Sequence, residues 1–223
     1  MRSVVVSPEW LERTAPALVG SDATVFLGTP ELLRSLTGFH VHRGALAAVH
    51  RTPLPDVAQV VASATRILVF EAAVNHTNLG AVFRSAAGLG IDGVVLSPDC
   101  ADPLYRRAVR VSMGAVLTLP YARASRWPES LDELRAAGFT VAALTPGPEA
   151  LDLAEVRVAD DQKWALVVGT EGPGLRPSTL RRCDLMVRIP MSRDVDSLNV
   201  GAAAAVAFWA LRPPSLTTRA ENT

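Results

Sequence analysis

Residues 67–96 read ILVFEAAVNHTNLGAVFRSAAGLGIDGVVL. The opening run, Ile67–Phe70, is apolar at every position, so it predicts a strand buried on both faces rather than a half-solvated one. Apolar residues then recur at helical spacing over Leu79–Gly88, and Gly88 and Gly90 supply the stop. Asn75 or Asn78 can cap the start of that helix. Gly93–Leu96 is a second continuous apolar strand. A strand, a helix and another strand in immediate succession is the unit from which parallel sheets are built.

The alternation continues toward the C-terminus. The pattern predicts a helix over Leu104–Val111, a strand over Val116–Leu119 and a helix over Pro128–Ala137 closed by Gly138. Strands follow at Thr140–Leu144, Trp164–Val168 and Leu185–Ile189, then a helix over Ser197–Leu211 with Ser197 as its cap. The expectation is an α/β domain whose mostly parallel sheet carries helices on both faces. In the other direction the two prolines of Arg51-Thr-Pro-Leu-Pro-Asp56 resist regular structure. They divide a small N-terminal α/β segment, 1–58, from a main domain, 59–213. The segment holds strands at Ser3–Val6 and Thr24–Leu27 and a helix at Pro8–Leu18. Residues 214–223 form a short polar tail expected to be disordered.

Bulk properties narrow the function classes. With 49 % hydrophobic residues the chain can bury a sizeable core, and its formal net charge is +0. Any nucleic-acid binding must therefore rest on local clusters of charge. Nearly all basic residues are arginine, Lys163 being the one lysine. Genomic base composition accounts for most of that bias; bidentate phosphate contacts account for a few of the arginines. Cys100 and Cys183 stand far apart and imply neither a zinc site nor a disulfide framework. The N-terminus lacks the apolar core of a signal peptide. The longest apolar run, Val200–Leu211, falls short of the ~20 residues that cross a bilayer. A cytoplasmic protein without membrane partners is expected.

Three segments follow predicted strands, at the sheet edge where open α/β folds bind ligands. The first is the Asn75-His-Thr-Asn78-Leu-Gly80 run ending in Arg84. The second is Gly169-Thr-Glu171-Gly172-Pro-Gly174. Its glycines let a ligand approach the backbone closely. Its spacing matches neither a dinucleotide fingerprint nor a phosphate loop. The Glu171 carboxylate suits a positively charged or hydroxyl-bearing ligand. The third is Ile189-Pro-Met191, a polar loop, and Ser197-Leu-Asn199-Val-Gly201 leading into an alanine-rich helix.

In this order the three segments resemble the motifs of the SpoU (TrmH) branch of the SPOUT RNA methyltransferases, over about residues 66–211. Thr170 departs from the pattern, where the family often has Asn. The resemblance implies a C-terminal trefoil knot and S-adenosylmethionine as cofactor. It carries cofactor binding onto Leu144, Thr145, Gly169, Thr170, Gly172, Gly174, Ile189, Met191 and Leu198. The implied reaction is 2′-O-methylation of a ribose in structured RNA, with Arg84, Asn78, Glu171, Ser197 and Asn199 as the catalytic set. An arginine side chain is not deprotonated in proteins, so Arg84 is read as a fixed cation that holds phosphate and stabilises a developing alkoxide. Asn78 and Asn199 would orient substrate and Arg84, and Ser197 would position Asn199. Glu171 would accept or relay a proton, or pin Arg84 by an ion pair. The activated methyl group removes any need for a metal.

The N-terminal segment resembles the later part of a ribosomal-protein-like RNA-binding domain without its usual opening elements. His42 and Arg43, in a cluster with His40, His50 and Arg51, are candidate RNA contacts, as are Arg106 and Arg110 beside Arg107. Ser112-Met-Gly114 resembles a further family element. Ribosomal RNA, 23S in particular, is expected ahead of tRNA. A non-catalytic RNA-binding or ribosome-assembly protein on the same fold is the competing reading, and the intact catalytic set speaks against it. A homodimer is expected too. The last helix is apolar nearly all round and needs cover that one sheet cannot give. Phe208 and Trp209 are its candidate anchors, against the same helix or the one around Phe83 in a second copy.

Overall fold

Successive side chains of a strand point to opposite faces, and the strand Arg66–Phe70 (β4) buries both sets. Leu68 and Phe70 enter one hydrophobic cluster, Ile67 and Val69 another. The computed structural model describes residues 1–170, 172–193 and 195–212. They divide into two compact units, from Met1 to Pro53 and from Leu54 onward.

In the first unit, strand Ser3–Val6 (β1) leads to helix Pro8–Leu18 (α1), strand Thr24–Leu27 (β2), helix Pro30–Thr37 (α2) and strand Ala45–Ala48 (β3). β1 lies between β2, parallel to it, and β3, antiparallel. Thr29 caps α2 by accepting from the Leu32 amide at 3.3 Å, and Gly38, at φ 74°, ends it.

The second unit opens on helix Val57–Val61 (α3) and β4, followed by helix His76–Gly88 (α4) and strand Gly93–Leu96 (β5). Helix Arg106–Val111 (α5), strand Tyr121–Arg123 (β6), helix Ser130–Ala136 (α6) and strand Phe139–Leu144 (β7) come next. Strands Leu151–Asp152 (β8) and Lys163–Val168 (β9), helix Pro177–Leu180 (α7), strand Leu185–Arg188 (β10) and helix Val200–Ala210 (α8) complete it. The seven strands run in the order β6-β5-β4-β9-β7-β10-β8. Every pairing between these seven strands, as described, is parallel. α4 and α8 cover one face through Leu79, Val82, Phe83, Ala204, Ala207 and Phe208. α3 and α6 cover the other through Val57, Val60, Leu131 and Leu134. Buried Arg66 ties the layers together, donating to the carbonyls of Leu89 at 3.0 Å and Phe208 at 2.8 Å near the C-terminal ends of α4 and α8.

Several expectations need correction. The boundary falls after Pro53, not after residue 58. Asp56 and Gln59 form a reciprocal capping box on α3, which packs on β5 and β6 and so commits the chain from Leu54 onward to the second unit. No strand forms over Val116–Leu119. Met113 and Gly114 take positive φ values of 54° and 89°, turning the chain into a 3-10 turn at Ala115–Leu117, and β6 begins after Pro120. Val116 and Leu119 are apolar because that turn is buried in the core. Phe208 and Phe83 are buried within their own chain, so neither can anchor a second copy, whereas Trp209 is 56 % exposed. The expected tail, 214–223, lies outside the described residues. Among those described, no helix is long and apolar enough to cross a membrane.

Candidate active site

A parallel sheet delivers the C-terminal ends of its strands to one edge. Past β7, β9 and β10 three chain segments enclose one cavity. Leu144 and Thr145 line it from the first, the Thr145 amide donating to the Val187 carbonyl at 2.9 Å. Gly169, Thr170, Gly172 and Gly174 line it from the second. Here the chain doubles back, Thr170 bridging to Gly174, with Gly172 at φ 88° and Gly174 at φ 68°. Ile189, Met191 and Leu198 line it from the third. All nine positions to which the resemblance assigns cofactor binding thus face one space, with Ser197 beside them. Sequence reasoning missed Pro146, Asp196, Val200 and Ala203, which also line it. Asp196 stood unremarked in the polar loop; Val200 and Ala203 read simply as helix core. Among the described lining residues there is no arginine or lysine, and Asp196 carries the one ionisable side chain.

Beside the cavity two asparagines meet. Asn75 caps α4, its Oδ1 accepting from the amides of Thr77 at 2.8 Å and Asn78 at 3.3 Å. That start places Asn78 so that its Oδ1 accepts from Asn199 Nδ2 at 3.2 Å. The Oδ1 of Asn199 accepts from the Gly201 amide at 2.9 Å, so Asn199, not Ser197, caps α8. Ser197 has no capping role and lines the cavity instead. A Cβ on Gly201 would stand 3.3 Å from that of Ala81, so α4 and α8 approach closely there. Arg84, one turn beyond Ala81, is exposed, does not line the cavity, and makes no hydrogen bond or ion pair with the described residues. Glu171 lies outside the described residues.

A model of the SpoU rRNA Methylase family matches residues 65–209, which spans all three segments. The chain belongs to that family. By that membership it is an RNA methyltransferase. It is 51 % identical to an uncharacterized tRNA/rRNA methyltransferase of Mycobacterium tuberculosis over 193 residues, 86 % of this chain and 67 % of the relative. It is 32 % identical to a 23S rRNA (guanosine-2′-O-)-methyltransferase of Nitrosomonas europaea, covering 79 % of this chain and 68 % of the relative. Its fold is similar to that of an AdoMet-bound rRNA methyltransferase from Sinorhizobium meliloti, with a TM-score of 0.82 at 23 % identity, covering 95 % and 79 % of the two chains.

Neither Arg106 nor Arg110, the RNA-contact candidates in the second unit of this SpoU-family chain, lines the cavity. Arg106, Arg107 and Arg110 are exposed on α5. His42 and Arg43 are exposed in the first unit, where His42 Nδ1 stands 3.2 Å from His40 Nδ1.

One further residue went unread in the sequence. Glu71, at the end of β4, is fully buried, and its carboxylate collects donors from three segments. Trp127 Nε1 donates to Oε2 at 2.9 Å, the Arg176 amide to Oε1 at 2.8 Å, and the Thr179 hydroxyl to Oε2. A buried carboxylate is tolerable only when satisfied in this way. Glu71 thereby pins the chain just after the Gly169–Gly174 loop. Arg176 extends the tie to Asp99, which also accepts from Ser97. Partial burial pushes the Asp99 carboxyl up, but Ser97 and Arg176 outweigh it and hold it below its ordinary value. Replacing Glu71 by Gln puts an NH2 group against donors. We expect Glu71→Gln to destabilise the domain by about 1–3 kcal/mol and to speed amide exchange over 172–176. Thermal denaturation and hydrogen exchange measure both; wild-type exchange in that loop would contradict the pinning role.

Proposed function

We propose that the chain transfers a methyl group from S-adenosylmethionine to a ribose 2′-hydroxyl of ribosomal RNA. The observation that carries this reading is the cavity at the strand ends, which has no cation among its described lining residues and abuts the Asn78–Asn199 pair. Its donor set fits this cofactor. Leu144, Ile189 and Leu198 offer apolar lining for the adenine, Thr145 and Thr170 supply hydroxyl-bearing side chains for its polar groups, and Asp196 suits the ammonium and sulfonium charges. A nucleoside triphosphate would find no counter-charge on the described lining. When bound, the cofactor supplies an activated methyl group with a neutral leaving thioether. The chain's task is to place the 2′-oxygen in line and favour its developing charge. Asn78 and Asn199, locked to each other, orient the ribose; Arg84 holds the adjoining phosphate and stabilises the alkoxide. Ser197 hydrogen-bonds in the same pocket, and Glu171 accepts or relays the proton or pairs with Arg84. His42 and Arg43 in the first unit, and Arg106 and Arg110 on α5, contact the RNA backbone.

The N. europaea relative's name, a 23S rRNA guanosine-2′-O-methyltransferase, supports both the ribose and the rRNA parts of the proposal. The M. tuberculosis relative's name leaves tRNA as the second reading. The sheet order supports the knot that the resemblance implies: β10 lies between β7 and β8, strands consecutive in sequence. Calorimetry with S-adenosylmethionine and with ATP tests the cofactor. Mapping 2′-O-methyl sites in total RNA, with and without the gene, tests the substrate. ATP binding in place of S-adenosylmethionine, or an unchanged methylation map, would overturn the proposal.

The proposal includes a homodimer through the outer side of α8, where Ala202, Val206 and Trp209 are exposed and Arg212 covers the Trp209 ring at 3.5 Å. A continuous apolar strip on a helix marks an interaction surface. Trp209→Glu is expected to convert dimer to monomer or aggregate and abolish activity. Sedimentation equilibrium at micromolar concentration checks it: an active wild-type monomer of 23.7 kDa would refute the dimer.

A further inference from the structure

The chain is neutral overall, yet its charge is unevenly spread along the sequence. No acidic residue occurs between Asp102 and Glu129, a stretch holding Arg106, Arg107, Arg110, Arg123 and Arg126. None occurs between Glu71 and Asp92 either, where Arg84 and His76 lie. The fold joins these two acid-free stretches. α4 and α5 pack so closely that a Cβ on Gly80 would stand 2.7 Å from the Ala108 carbonyl oxygen and 2.9 Å from Val111 Cβ. That close packing sets the starts of the two helices side by side. There the rings of His76 and Tyr105 meet, with centroids 4.1 Å apart and planes tilted by 39°. Tyr105 remains 54 % exposed, and Arg106, Arg107 and Arg110 follow it on the exposed side of α5. His76 lies two residues before Asn78, the asparagine held by Asn199 at the cavity.

An exposed aromatic ring braced from behind by a second ring and flanked by arginines fits one ligand chemistry: an unpaired base with its phosphates. Bases stack on aromatic faces whatever their identity, each contact contributing about 1–3 kcal/mol. Arginines alongside neutralise the phosphate backbone. A protein partner would require acidic side chains to answer the arginines.

We propose that His76 and Tyr105 form a stacking platform for an unpaired RNA base next to the nucleotide presented to Asn78 and Arg84, with Arg106 and Arg110 holding its phosphates. This inference rests on the methyltransferase reading for the position of the target nucleotide, but the stacking itself needs no cofactor. The platform would favour target riboses in loops or bulges, where a neighbouring base is free to leave its own stack.

The probe is a short unstructured oligoribonucleotide carrying one 2-aminopurine, titrated into the full chain at fixed low salt. Wild type should bind it and quench its fluorescence by stacking. Tyr105→Leu, which keeps apolar bulk without a ring, should weaken binding by roughly tenfold or more, and His76→Ala should do the same. Tyr105→Phe should stay near wild type. Binding unaltered in Tyr105→Leu overturns the platform. A dimer of wild type that Tyr105→Leu splits in sedimentation, with RNA affinity retained, also overturns it and makes the pair an interface between copies. Photocrosslinking of wild type to a 4-thiouridine oligomer, read by mass spectrometry, needs no variant: a crosslink at Tyr105 or His76 is expected, and crosslinks confined to other segments refute the site. Failure of wild type to bind S-adenosylmethionine would sink the methyltransferase reading and leave these outcomes interpretable.

Discussion

Arg84→Ala is expected to lower the methylation rate by about 10²-fold or more, the usual effect of losing one preorganised donor at developing charge. Cofactor affinity should stay near wild type, because Arg84 does not line the cavity. The side chain is exposed and makes no bond with the described residues, so nothing in the fold depends on it there. Most exposed arginines can be removed at little cost in stability. A large loss of rate with unchanged denaturation would therefore locate the effect in the reaction. Arg84→Lys should recover part of the rate, since the charge remains but the planar fork that meets a phosphate is lost. Single-turnover assays at saturating RNA read the chemical step. A variant within about threefold of wild type, less than ~0.7 kcal/mol in barrier, would remove Arg84 from the reacting centre.

The sheet was readable because its strands are buried on both faces. Val94, Val95 and Leu96 leave no alternation to confuse with helix, and β5 was placed residue for residue. The error at Val116–Leu119 has the same origin. A short turn packed into the core carries the composition of a buried strand, and the positive φ at Met113 that prevents extension has no signature in a non-glycine residue. The missed α3 and β8 are five and two residues long, too short for any period to register. At the site, the glycines and asparagines were legible because their roles are local: a close backbone approach, a cap. Glu71 was not. Its partners Trp127, Arg176 and Thr179 lie 56, 105 and 108 residues away along the chain. Before folding it is one acid at a strand end. The choice of Phe208 as an anchor failed for a related reason: an all-apolar helix does not reveal which of Phe208 and Trp209 its own core will take.

Gly169→Ala is expected to weaken cofactor binding by about 10–100-fold. A Cβ at Gly169 would stand 2.6 Å from the carbonyl carbon of Gly174, 2.8 Å from its oxygen and 2.8 Å from the Leu175 amide nitrogen. All three are backbone atoms, so no side chain can swing aside. The returning strand of the loop would have to move. It is held by buried Leu175, and one residue later by the Arg176 amide on Glu71. Overpacking of this kind costs about 1–3 kcal/mol. If the chain relieves it by opening the loop, the closed form that lines the cavity becomes a minor population. Apparent affinity falls by that fraction, about tenfold for each 1.4 kcal/mol. Gly147 supplies the control on the same sheet edge. A Cβ there meets only Thr145 Oγ1, at 3.8 Å, so Gly147→Ala should bind as wild type does. Gly172 separates crowding from backbone strain: a Cβ meets nothing within 4 Å, but φ is 88°, a conformation that alanine adopts only at a cost of about 1 kcal/mol or more. Titration calorimetry with S-adenosylmethionine should rank the affinities Gly147→Ala, then Gly172→Ala, then Gly169→Ala. If Gly169→Ala bound as tightly as Gly147→Ala, the turn from Gly169 to Gly174 could open freely, and neither its closeness nor its anchoring on Glu71 would be what shapes the cavity.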